Sequence, residues 1–146
     1  MCLLLYMATH DDVPLRTSVD IRVEEVEASR DAIRQWFSLP EVHFIGAHTG
    51  CSCGFPHIVA EEPIEYYDGV FDEDEKRQPE LRSAEALLAL IRDYVIDKGE
   101  VQLYSVWNGN EGLAPKGVIN VALDSLRRES FFLNEQFFYR VTIGGA

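Results

Sequence analysis

The feature that most constrains this chain is a helical repeat closed at both ends and followed at once by a strand. Leu81, Ala84, Leu88, Ile91 and Val95 recur at steps of three and four, with Pro79 just before them and Gly99 just after. Proline is tolerated where a helix starts and glycine where it ends, so one amphipathic core helix is expected over 81–98. Residues 101–107 then read as a strand, and Val42, His43, Phe44 and Ile45 read as another over 41–46. A helix between two strands supplies the length that a crossover between parallel strands requires. Residues 131–133 and 137–143 read as a C-terminal hairpin, with Phe137, Tyr139, Val141 and Ile143 on one face and Phe138, Arg140 and Thr142 on the other. The expected architecture is a single α+β domain over residues 1–146, a mixed β-sheet packed against one long and one short helix.

The remaining segments fit that plan. Met1 to Met7 is an apolar run with no positive charge before it, and Thr9, His10, Asp11 and Asp12 end it. It falls short of a signal segment and of the roughly 20 residues of a membrane span, so it is expected to be a buried strand. A cytoplasmic protein with no membrane partner is expected. Val19, Ile21 and Val23 alternate with Asp20, Arg22 and Glu24 in the pattern of a half-buried strand. Ser29 is the expected N-cap of the short helix, which places Ala32, Ile33, Trp36 and Phe37 on one face and stops at Leu39-Pro40. Residues 108–117 are an expected loop, 118–122 a strand and 123–127 a helical turn.

Charge excludes some partners. The chain has 25 acidic and 13 basic residues, a net charge of −12, and no stretch gathers Lys and Arg into a patch, so nucleic acid is not an expected partner. Residues 61–80 hold nine acids and two bases, interleaved with Tyr66, Tyr67 and Phe71. That segment reads as an exposed acidic surface. Asp72, Asp74 and Glu75 lack the glycine and terminal glutamate of an EF-hand loop. Three cysteines are too few and too odd a number for a disulfide framework and suit a reducing compartment.

Five of the seven Cys and His residues lie between positions 43 and 57, in the loop that follows the 41–46 strand. His48, Cys51, Cys53 and His57 supply the imidazole and thiolate donors of a tetrahedral zinc site, with Cys2 or His43 as replacement ligands. The Cys-x-Cys spacing suits zinc less well than Cys-x2-Cys. Thiol chemistry is the alternative use of the same loop. Gly50 and Gly54 bracket Cys51-Ser52-Cys53, and protonated His48 or loop amides would stabilise a thiolate, making Cys51, Cys53 and His48 the catalytic candidates. No nucleotide-binding glycine pattern is present, and Trp36 and Trp107 are expected as core aromatics, with Trp107, which opens a glycine-bearing loop over 108–112, as the alternative lining of a pocket beside the cysteine loop.

With its N-terminal Met-Cys strand and His48-Thr49-Gly50-Cys51-Ser52-Cys53-Gly54-Phe55, the chain resembles a group of small uncharacterised bacterial proteins with an HTGC-x-CGF loop. The resemblance covers the N-terminal strand and this loop. It implies a bacterial origin and marks Cys51, Cys53 and Gly54 as signature residues, and it carries over no activity. Two functional classes are therefore expected: a metal or thiol site in loop 48–57 with zinc as the possible cofactor and a metal or small-molecule ligand, or a non-catalytic binding module. In the second class the cysteines pack structurally and the acidic segment 61–80 meets a partner.

Overall fold

In the computed structural model the described residues are 3–50, 52–55, 58–59, 78–126 and 133–144, the side chains of residues 16, 53, 58 and 59 excepted. The apolar N-terminal run becomes strand β1, Leu3–Thr9, every residue of which is buried. A strand with no wet residue must be covered on both faces, and β1 lies inside the sheet with Leu5 and Met7 toward one core cluster and Leu4, Tyr6 and Ala8 toward another. The other strands are β2 (Arg16–Thr17), β3 (Ile21–Glu25), β4 (Glu41–Ala47), β5 (Ile58–Val59), β6 (Glu100–Trp107), β7 (Gly117–Ala122), β8 (Leu133–Asn134) and β9 (Phe137–Thr142), with helix α1 at Gln78–Lys98. Seven of them form one mixed sheet in the order β2-β3-β4-β1-β6-β9-β7.

Both β4 and β6 run antiparallel to β1, which lies between them, so they run parallel to each other. The expected crossover is therefore present, with one strand inserted between its two arms. Helix α1 carries the chain across, burying Leu81, Ala84, Leu87, Leu88, Ile91 and Val95. Of these, Leu87, Leu88, Ile91 and Val95 share one core cluster with Leu5, Met7, Ile45, Val101, Leu103, Tyr139 and Val141. Pro79 sits in the first turn, where no intrahelical N–H is needed, and Gly99 closes the helix at φ 95° by donating its N–H to Val95 O at 2.8 Å.

The opposite face of the sheet is covered by Ile33, Trp36, Phe37 and Leu39. These flank or belong to a 3-10 segment, Ala28–Trp36, in place of the expected α-helix. Glu27, not Ser29, occupies the N-cap position, and no side chain caps it. Spacing explains the tighter winding: Glu27–Arg30 and Asp31–Arg34 ion pairs at 3.5 and 2.7 Å join residues three apart, which a 3-10 turn eclipses. Val19 is also displaced from expectation. It is exposed in a turn that Ser18 closes onto Ile21, and the strand begins only at Ile21.

The expected C-terminal hairpin is absent. β8 pairs in parallel with β5 in a separate two-stranded sheet, while β9 enters the main sheet between β6, antiparallel, and β7, parallel. Phe138 is buried on one face and Tyr139 and Val141 on the other, so β9 needs cover on both sides and takes an interior place. Gln136, at φ 65°, pins the entry by donating its N–H to Ser105 O and accepting from Lys116 N–H, each at 2.8 Å. The whole is a single α+β domain.

Candidate functional site

The loop after β4 is built by glycines and a serine. A Cβ on Gly46 would lie 2.8 Å from Gly50 O, and one on Gly54 would lie 2.7 Å from Ala47 Cβ and 3.0 Å from the His48 ring, so the backbone doubles back at a distance only glycine allows. Gly50 turns the chain at φ 89° and donates its N–H to Ala47 O. Ser52 then reaches into the sheet. Its buried hydroxyl donates to Ile45 O at 2.6 Å and accepts from Leu5 N–H at 2.7 Å, bridging β4 and β1 where their ladder ends. Phe55, also buried, anchors the turn in the α1-side core.

Cys51 and His57 lie outside the described residues, as do residues 61–77 of the acidic segment; for Cys53 only the backbone, in the turn Ser52–Gly54, is described. His48 is described. Its N–H donates to Ser83 Oγ at 3.0 Å, and its Nδ1 lies 3.0 Å from the same oxygen, which gives its own proton to Asp20 O at 2.7 Å. With its one proton committed, Ser83 Oγ accepts from His48 Nδ1–H, and the lone pair of the imidazole is left on Nε2. His43 is not brought to this loop. It sits near the start of β4, opposite Met7 and Glu25, with Nε2 3.2 Å from Asp12 Oδ1. Among the described residues no three His, Cys, Asp or Glu side chains converge as metal ligands.

A cavity of about 810 Å³ opens on the face of the sheet opposite α1. Gly50, just past the end of β4, and Asn108, just past the end of β6, both line it, while Trp107 is not among the described lining residues. Ends of strands joined by a crossover are where such sheets bind ligands, because loop groups there are free of the ladder. Pairing across the sheet sets Glu24, Phe44, Tyr6, Tyr104 and Phe138 in one row. Half-buried Phe44 is the ring exposed to the cavity. Tyr6 and Leu4 are buried beneath it, with Tyr6 and Phe44 edge to face at 6.0 Å between centroids.

Charge surrounds this apolar floor. Among the described lining residues Glu24, Glu25 and Glu27 stand with one cation, Arg30, whose guanidinium is 3.5 Å from Glu27. Behind the floor, the Tyr6 hydroxyl donates to the buried Glu111 carboxylate at 3.4 Å, and Gly109 N–H donates to the same carboxylate at 3.1 Å. Burial, and then the Glu111 charge, pushes the Tyr6 phenol well above its ordinary value, so it stays a donor at neutral pH. Trp36 Nε1–H donates to Glu111 O at 2.9 Å and ties loop 108–112 to the 3-10 segment. The chain matches no protein-family model, no curated protein and no solved structure. Its site is therefore interpreted from its own chemistry.

Sequence reasoning missed Tyr6, Phe44, Glu24, Arg30 and Glu111. A signal was present in Tyr6, a polar-tipped aromatic inside an otherwise apolar central strand, which needs a hydrogen-bond partner when buried. Among the described lining residues there is no imidazole, thiol or amine.

Proposed function

We propose that this protein is a bacterial, cytoplasmic binding protein for a small organic cation, an amine or quaternary ammonium group on a compact apolar body. The observation that carries this reading is the composition of the described lining, with an aromatic floor at Phe44, three carboxylates and one arginine that is already paired. Its volume lies within the range of about 300–1,000 Å³ typical of small-ligand sites. A cation over an aromatic face gains about 0.5–2 kcal/mol, and carboxylates at the rim add attraction that a phosphate or carboxylate ligand would meet as repulsion. The net charge of −12 reinforces that preference and disfavours nucleic acid. Calorimetric titration with a series of alkylamines and quaternary ammonium ions tests it. Binding should weaken about tenfold in Glu24→Gln and fall as salt is raised. Equal binding of an alkylcarboxylate series would overturn it.

A second reading, metal or thiol chemistry in loop 48–57, draws support from His48, whose Nδ1 is committed to Ser83 Oγ and whose Nε2 lone pair is left over, three residues before Cys51 and five before Cys53 in the sequence. Zinc analysis of protein purified without chelator, with thiol titration beside it, tests this. Stoichiometric zinc that is lost in His48→Gln, or one fast-reacting thiol slowed by the same change, is expected. Neither metal nor a reactive thiol would remove this reading and leave the cavity.

A further inference from the structure

The two edges of the main sheet are built differently. β2, at one edge, has two residues and offers almost no template for pairing. β7, at the other, has six, Gly-Val-Ile-Asn-Val-Ala, without a charge, proline or bulge to blunt it. It pairs in parallel with β9, so every second residue of β7 turns its N–H and C=O away from the sheet.

Exposed apolar side chains gather on the same edge. Val118 is 60% exposed and Ile119 37%, one on each face of β7, while Leu113 at 45% precedes the strand and Ile143 at 61% follows β9 beside Leu123 and Asp124. These are four of the seven exposed large apolar residues among those described. A scattered exposed leucine is ordinary, but exposed apolar side chains on both faces of an uncharged edge strand mark a surface that pairs with another strand.

Charge selects the partner and its direction. Along the chain the charged residues that flank β7 are Lys116 before it and Asp124 after it, both exposed, with Lys116 Nζ also 3.7 Å from Glu135; on the inner side Arg140 of β9 lies opposite Asn120 and is held by Glu100 at 3.0 Å. A second copy aligned antiparallel about a two-fold axis at Asn120 sets Lys116 of each chain opposite Asp124 of the other. The same register sets Ile119 opposite Val121 and Val118 opposite Ala122, apolar against apolar on both faces. A parallel copy would instead put like charges together. We infer that the protein forms a symmetric homodimer in which two β7 strands pair antiparallel through Asn120, joining the two sheets into one.

One strand pair with a few flanking side chains is a small interface, so the dimer should dissociate on dilution. Sedimentation equilibrium of the full chain over a concentration series is expected to show monomer converting to dimer. Ile119→Lys, which places two cations at the interface, should raise the dissociation constant by about tenfold or more. Independently, Asn120→Cys should give a disulfide-linked dimer under mild oxidation, while the parent chain and Val19→Cys, an exposed position in a distant turn, should not. A parent chain that stays monomeric throughout overturns the proposal. So does a dimer that neither responds to Ile119→Lys nor cross-links through position 120.

Discussion

Ser52 ties the loop to the sheet because one hydroxyl satisfies two buried backbone groups that the end of the β1–β4 ladder leaves over, Leu5 N–H and Ile45 C=O. Ser52→Ala removes both partners while changing little volume, and each buried group left unsatisfied costs about 1–3 kcal/mol. Denaturant unfolding should show a loss of about 2–4 kcal/mol with an unchanged slope; a loss under about 0.5 kcal/mol would mean that water or a shifted backbone replaces the hydroxyl. The cysteines on either side drew attention in the sequence because sulfur and imidazole cluster there. Ser52 did not, since nothing local marks a serine as an insertion between strands. The clue was the spacing of Gly46, Gly50 and Gly54, four apart, which signals a backbone folded closely upon itself.

Between elements, the outer part of the sheet is fastened by a charged pair. Arg140 on β9 donates through Nη2 and Nε to the Glu100 carboxylate on β6, at 3.0 and 3.3 Å, and Gln102 donates to it at 2.6 Å. The Arg140 hydrogen bonds hold the Glu100 carboxyl below its ordinary value of 4.5 despite partial burial, with Gln102 assisting. A depressed carboxyl stabilises the fold above its unfolded-state value and loses that contribution as pH falls through the folded-state value. Arg140 is partly exposed, so the pair is worth at most about 1 kcal/mol. The stability gap between parent and Arg140→Leu should be constant from neutral pH to about 5 and shrink below about 4.5. A gap that widens on acidification would contradict this. Elements with a complete local signature were legible: β1 as a wholly apolar run, and α1 from its repeat, its proline and its glycine. The C-terminal hairpin was misread because alternation in 137–143 describes a strand without saying what lies beside it. Its partners, β6 and β7, are chosen by contacts distant in sequence.

At the scale of the whole molecule, the mixed sheet with one long and one short helix was legible. The cavity was not, because its described walls come from β1, β2, β3, β4, the 3-10 segment and the loops at Leu15, Gly50 and Asn108, which only the register brings together. The net charge that argued against a nucleic-acid partner in the sequence also bears on the proposed ligand, since carboxylates outnumber cations among the described residues around the aromatic floor. Among the described residues no helix is long and apolar enough to cross a membrane. The central claim is that this cavity selects positive charge on an apolar body. Its most direct test is calorimetric comparison of choline with 3,3-dimethylbutan-1-ol, which has the same shape and no charge. Choline should bind about tenfold or more tightly, with the advantage reduced in Phe44→Leu and in Glu24→Gln. Equal affinity for the two, or an advantage that survives both substitutions, would contradict it.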